Sequence, residues 1–135
     1  MTNTSRRVLY IEDEPDIVEL VRLILSQQGY QVDGASGGKA GLDAVRQAPP
    51  DLILLDLMMA DMDGWEVFRQ LRADEKTRSI PVIIITAKWQ EFDRVRGLHV
   101  AQVDDYLLKP FSAKDLVGSV ERVLERRVNE SKAGK

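Results

Sequence analysis

The chain has 135 residues, 44% of them apolar and 30% charged, with a net charge of −3 and no cysteine. That length suits one domain whose core needs no covalent staples. The composition excludes a disulfide framework and thiolate metal sites. It also excludes the clustered basic excess of a nucleic-acid-binding surface, and apolar runs of at most six residues fall far short of the ~20 needed to span a bilayer.

In chain order, Met1 to Arg7 is short and polar and lacks the apolar segment of a secretory leader, so a cytoplasmic protein is expected. Val8-Leu9-Tyr10-Ile11 predicts a buried strand closed by the acidic Glu12-Asp13-Glu14. Pro15, tolerated in a first helical turn, opens a helix. Its inward face is expected to be Ile17, Leu20, Val21, Ile24 and Leu25, with Gly29 at its end. Tyr30 to Ala35 predicts a weaker strand and Ser36-Gly37-Gly38 a turn. A second helix then carries Ala40, Ala44, Val45 and Ala48 inward and stops at Pro49-Pro50.

Leu52-Ile53-Leu54-Leu55, apolar at every position, predicts a strand covered on both faces and ending at Asp56. The loop Leu57 to Gly64 leads to a third helix with Trp65, Phe68 and Leu71 inward. Ile80 to Ile85 predicts a fourth strand, with Pro81 near its start and Thr86 closing it. A fourth helix is expected over about 90–100. Tyr106-Leu107-Leu108 predicts a fifth strand ending at Lys109-Pro110, and Ser112 caps a fifth helix with Leu116, Val120, Val123 and Leu124 inward. The folded unit is expected over residues 7–127, between tails 1–6 and 128–135. The repeated β-α alternation predicts an α/β fold, a parallel sheet with helices on both faces and right-handed crossovers.

Sites in open α/β sheets form at the carboxyl ends of the strands. Those ends carry Glu12 and Asp13 (first strand), Asp56 (third), Thr86 (fourth) and Lys109 (fifth). Carboxylates gathered there repel one another unless protonated or neutralised. Mg²⁺ prefers oxygen ligands and commonly uses one or two carboxylates plus a phosphate. Lys109 can neutralise a further anionic oxygen, Thr86 can donate a hydrogen bond, and Asp56 is the natural nucleophile for an aspartyl-phosphate.

Taken singly, the acidic run is an ordinary solvated loop and Asp56 a turn cap; their joint placement with Thr86 and Lys109 favours a site. Asp63 reads as a turn or cap residue and Trp65 as partly packed core. Trp89 is expected near the surface, where it could touch partners. His99, the single histidine, has no co-ligand and reads as a surface helix residue. Met58 and Lys88 flank the expected phosphoryl position, either tuning water access or simply solvated.

Five segments in this order resemble the receiver domain of two-component response regulators. They are Val8 to Pro15, Asp51 to Met59, Met62-Asp63-Gly64, Ile83 to Ala87, and Asp104 to Phe111. The resemblance implies a flavodoxin/CheY-like (βα)5 three-layer sandwich with a five-stranded parallel sheet in the order 2-1-3-4-5. It implies that Asp56 is phosphorylated and that Asp13, Asp56 and the backbone carbonyl of Met58 ligate Mg²⁺, with Glu12 acting through water; Mn²⁺ is a possible substitute. It implies that Lys109 pairs with the phosphate, that its bond to Pro110 is cis, and that Thr86 and the Ala87 amide contact phosphoryl oxygens. Tyr106 would be the aromatic switch that follows Thr86. The donor would be a phosphohistidine on a sensor histidine kinase or histidine phosphotransfer protein. The output would be the helix 4–strand 5–helix 5 face, acting on a downstream protein as a monomer or weak dimer, without direct nucleic-acid or membrane contact and with no turnover beyond self-directed phosphotransfer and autodephosphorylation.

Three departures stand out. Ala60 replaces a frequent proline, so the loop after Asp56 is expected to be less rigid. Ala101-Gln102-Val103 replaces the usual Gly-Ala before Asp104, removing a favoured left-handed cap. Ser119 stands where DNA-binding relatives often carry an arginine used in dimer contacts.

Rival readings are a receiver-like scaffold working without phosphorylation, a flavin- or nucleotide-binding protein, and a DNA-binding regulator. Glu12-Asp13-Glu14 would repel a phosphate after the first strand, and no Gly-x-x-x-x-Gly-Lys-[Ser/Thr] occurs. The residues after Phe111 suffice for a helix and a tail, so a helix-turn-helix is expected only if the chain is a fragment of a longer regulator.

Overall fold

The β-α alternation becomes, in the computed structural model, a five-stranded parallel sheet in the order β2-β1-β3-β4-β5. The structure describes residues 5–87 and 103–133. Its elements are β1 (Arg7–Ile11), α1 (Pro15–Ser26), β2 (Gln31–Ala35), α2 (Gly38–Gln47), β3 (Leu52–Asp56), α3 (Gly64–Ala73), β4 (Val82–Thr86), β5 (Asp105–Leu108) and a C-terminal helix (Ala113–Ala133). The helix expected over 90–100, with Lys88, Trp89, His99, Ala101 and Gln102, lies outside the described residues.

Alternation along the strands sorts the apolar residues onto two faces. Leu9, Ile11, Ile53, Leu55, Val82 and Ile84 pack with Leu42 and Val45 of α2 and with Trp65, Val67, Phe68 and Leu71 of α3. Val8, Tyr10, Leu52, Leu54, Ile83 and Ile85 pack with Val18, Val21 and Leu25 of α1 and with Leu116, Val120, Val123 and Leu124 of the C-terminal helix. Both faces are therefore covered, which is why β3 and β4 are buried at every position. The expected inward faces of α3 and of the C-terminal helix are the buried ones.

Two helix faces differ from expectation. Leu20, expected inward, is 50% exposed, because the buried stripe of α1 runs through Val18, Val21 and Leu25. Ala40 and Ala48 of α2 are exposed, and the buried stripe is Gly38, Gly41, Leu42 and Val45. A Cβ on Gly41 would lie 2.6 Å from Ile11 Cδ1, so the helix makes its close approach to β1 at this glycine rather than along its alanines.

Two boundaries also move. β4 begins at Val82, two residues after its expected start: the Ile80 amide is used in a turn to Thr77 O (3.1 Å), and Pro81 has no N–H to offer the ladder. Residues 128–133, expected as tail, continue the C-terminal helix to Ala133. As expected, Ser112 caps that helix, its Oγ accepting from the Asp115 amide at 3.0 Å.

Candidate functional site

Strand register gathers the polar residues. Ile11 of β1 pairs with Leu55 of β3, so Glu12 and Asp56 follow at the same level. Asp56 in turn pairs with Ile85 of β4. Thr86 pairs with Leu108 of β5, and the Lys109 amide donates to Thr86 O at 2.8 Å. The chain leaves β1 for β2 on one side and returns to β3 on the other, so this edge is the switch point of the sheet.

Oxygens of Glu12, Asp13 and Asp56 all lie within 4.8 Å of one another. Glu12 is 1% exposed and Asp56 2%. Lys109 Nζ donates to Glu12 Oε1 at 2.6 Å and stands 3.6 Å from Asp56 Oδ2. The Tyr10 hydroxyl, in the core beneath, also donates to Glu12 Oε1 (3.1 Å). Backbone amides hold the other two carboxylates: Met58 N donates to Asp56 Oδ1 (3.3 Å) and Ala60 N to Asp13 Oδ2 (2.9 Å).

Burial, followed by the neighbouring Glu12 carboxyl, pushes the Asp56 pKa up to about 7, against the opposing pull of Lys109 and the Met58 amide. Burial by itself would lower the Lys109 pKa. Glu12, Asp56 and Glu14 outweigh it and the net shift is upward, so Lys109 stays charged. Among the described residues, three carboxylates converge, the ammonium pairs with two of them, Glu12 and Asp56, and Asp56 still resists ionisation. Oxygen-only donors carrying surplus negative charge fit a hard divalent cation such as Mg²⁺. Replacing Asp13 by Ala removes one of these donors and is expected to weaken Mg²⁺ binding at least tenfold, on the order of a ligand or near-ligand loss. An unaltered calorimetric titration would take Asp13 out of the ligand set.

The other residues expected at the site fall as follows. Thr86 is buried at the β4 end, and Ala87 follows it at the surface. Met58 presents its amide to Asp56 and its side chain to solvent. Tyr106 lies two residues before the Thr86 partner Leu108, hence on the same sheet face as Thr86, and is 38% exposed. The Lys109–Pro110 peptide is cis. Asp63 is a cap, its side chain accepting from the Trp65 amide at 2.9 Å. Trp65 is core, edge-on to Phe68 with ring centroids 5.9 Å apart. Ser119 is buried and its hydroxyl donates to Asp105 Oδ2 at 2.6 Å, a contact within the chain.

Three residues near the site escaped the sequence reading. Tyr10 looked like ordinary strand core; a tyrosine among aliphatic strand residues needs a partner for its hydroxyl, and that was the available signal. Asp61 looked like loop. Gly64 looked like a turn, yet a Cβ there would lie 2.4 Å from Asp56 O and 2.6 Å from Leu57 Cα.

The model of the response regulator receiver domain matches residues 8–121. The chain belongs to the response regulator receiver family. This receiver domain is 41% identical over 122 residues to the phosphate regulon transcriptional regulatory protein PhoB of Escherichia coli, covering 90% of this chain and 53% of that one. It is 38% identical over 130 residues to the DNA-binding response regulator MtrA of Mycolicibacterium smegmatis, covering 96% and 55%. The receiver domain thus spans about half the length of the curated relatives it matches. The solved structure of the chemotaxis response regulator CheY4 of Vibrio cholerae superposes with a TM-score of 0.81 at 26% identity, covering 89% of this chain and 99% of that one. As a receiver, the domain is a phosphoacceptor module of two-component signalling. Among the described residues, no helix is long and apolar enough to cross a membrane.

Proposed function

We propose that Asp56 is the phosphoryl acceptor of this receiver domain and that a phosphohistidine on a sensor kinase or phosphotransfer protein is its donor. The observation that carries the reading is the placement of Asp56. It sits at the end of β3, 3.6 Å from Lys109 Nζ and within the carboxylate cluster of Glu12 and Asp13. In the transfer, an Asp56 carboxylate oxygen bonds to phosphorus as the P–N bond breaks, and the electron pair leaves with the imidazole nitrogen, which takes its proton from solvent.

Lys109 offsets charge on a phosphoryl oxygen, exchanging part of its hold on Glu12 for the new anion. The Thr86 hydroxyl and the Ala87 amide donate to the other oxygens. Asp13, Asp56 and the Met58 carbonyl would hold Mg²⁺ (or Mn²⁺), and Glu12 would assist through water. When bound, the cation supplies charge neutralisation for the acceptor and the phosphoryl group. Hydrolysis by water returns the free carboxylate, so the domain resets itself.

Movement of Thr86 toward the phosphoryl group would vacate space on the face it shares with Tyr106, coupling phosphorylation to β5 and the C-terminal helix beside it. We assign the output to protein contacts there, in the cytoplasm and without direct nucleic-acid contact by this domain. Any DNA binding by a longer form would belong outside the receiver fold.

The test is incubation with acetyl phosphate in Mg²⁺ or in EDTA, followed by intact mass. A gain of about 80 Da, one phosphoryl group, is expected only with Mg²⁺; no gain in either condition would favour a scaffold working without phosphorylation. Lys109→Ala is expected to retain Mg²⁺ binding and still lose most of the phosphorylation-induced spectral change, because the anion is no longer tied to β5. A parent-like change would reject its role.

A further inference from the structure

Asp13 is held by the Ala60 amide, which donates to Asp13 Oδ2 at 2.9 Å. A proline at residue 60 would have no hydrogen to give. A carboxylate fixed through one oxygen presents the other in a set direction, which is the work second-layer donors do for metal ligands. What holds Ala60 is therefore part of the site.

The next residue, Asp61, is the anchor. Its Oδ1 accepts from the Gly38 amide at 2.9 Å and its Oδ2 from the Lys39 amide at 3.2 Å. These are N-terminal amides of α2, whose own N-cap residue, Gly37, has no side chain with which to cap them. Gly37 adopts φ 111°, and a Cβ there would stand 2.9 Å from Asp61 Oδ1, so glycine keeps the space that Asp61 fills. An anionic side chain on free amides at the positive end of a helix is favourable on both counts. Helix α2 is itself fixed, seated on Ile11 of β1 through Gly41.

We propose that Asp61, by capping α2 from the β3–α3 loop, is a positioning residue that presses the Ala60 amide onto Asp13 and thereby sets the domain's affinity for its divalent cation. The inference rests on the reading of Asp13 as a metal ligand. It turns the departure at residue 60 from a loss of rigidity into a gained donor.

The test is calorimetric Mg²⁺ titration of the parent chain, Asp61→Ala, Asp61→Asn, Ala60→Pro and the double variant Ala60→Pro/Asp61→Ala, each confirmed folded by circular dichroism. Asp61→Ala is expected to raise the Mg²⁺ Kd about tenfold, the lower end for an outer-layer partner. Asp61→Asn keeps one acceptor oxygen for the Gly38 amide but turns an NH₂ donor toward the Lys39 amide and loses the charge, so it is expected to fall between Asp61→Ala and the parent. Ala60→Pro should lose affinity similarly, and the double variant should lose no more than the worse single one, since both act on one chain of contacts. In the metal-free protein, the Ala60 amide proton should move upfield and exchange faster in Asp61→Ala than in the parent. An Asp61→Ala Kd within about twofold of the parent, an Asp61→Asn Kd weaker than that of Asp61→Ala, or fully additive losses would overturn the proposal. A parent chain that binds no Mg²⁺ would overturn the metal site and this device with it, whereas a binding parent with unchanged variants overturns the device alone.

Discussion

Asp56→Asn is expected to abolish phosphoryl uptake and, at the same time, to make the metal-free domain more stable. The first effect follows from chemistry: an amide oxygen is not the nucleophile that a carboxylate is, so the mass gain with acetyl phosphate and Mg²⁺ should vanish. The second follows from burial. Asp56 titrates near pH 7 in the fold, well above its ordinary value of 3.8, so the folded state binds that proton more tightly than the unfolded state does. Its contribution is fully favourable below the unfolded value and is lost as pH rises through the folded one; the window is therefore about pH 4 to 7.

The asparagine variant, uncharged throughout, should escape this loss. In EDTA at pH 8 it is expected to exceed the parent by about 2–4 kcal/mol, or roughly 10 °C in Tm. The gap should close toward pH 4, and saturating Mg²⁺ should raise the parent's Tm more than the variant's. A variant that still gained a phosphoryl group would remove Asp56 as acceptor. One no more stable than its parent at pH 8 without metal would refute the strained carboxylate.

Gly64→Ala is expected to damage both stability and function, although residue 64 carries no chemistry. An added methyl would lie 2.4 Å from the carbonyl oxygen of Asp56 and 2.6 Å from Leu57 Cα, both backbone atoms that cannot swing aside. Gly64 also donates its amide to Leu57 O at 3.1 Å, so α3 starts directly against the peptide that follows the acceptor. Overpacking of this kind costs about 1–3 kcal/mol, or a Tm fall of roughly 4–12 °C for a chain this long. The better helix propensity of alanine returns less than about 1 kcal/mol. Because the displaced atoms are the carbonyl of Asp56 and the Cα of the next residue, the variant should also take up phosphoryl groups more slowly in Mg²⁺ at temperatures where it remains folded. Thermal melts and the time course of the mass gain read the two effects separately. A parent-like Tm would show that the backbone yields more readily than the packing implies.

Much of this molecule was legible in its residues. Leu52 to Leu55, apolar without alternation, announced a strand covered on both faces, and both faces are covered. The apolar spacing of Leu116, Val120, Val123 and Leu124 named the buried side of the last helix correctly. Of the stripe read for α2, Val45 is buried and Ala44 half-buried against the core, but Ala40 and Ala48 are exposed, because small residues fit either face and the close seat of Gly41 on Ile11 decides between them. Leu20 failed for a related reason: a leucine at the margin of a stripe satisfies the period whether or not a neighbour covers it.

At the site, sequence alone determined which residues stand at the strand ends, because a strand's end is marked by the residue that breaks its apolar run. It thereby supplied Glu12, Asp13, Asp56, Thr86 and Lys109 as candidates. Only the tertiary structure decided how they engage one another. The pairing of Ile11 with Leu55 sets Glu12 beside Asp56, the Tyr10 hydroxyl and Lys109 share one oxygen of Glu12, and Asp61 caps a helix 23 residues before it in the chain. Periodicity is a local property carried by consecutive residues. The choice of a hydrogen-bond partner depends on which distant backbone the packed sheet and helices bring within 3 Å or so, and no local pattern encodes that.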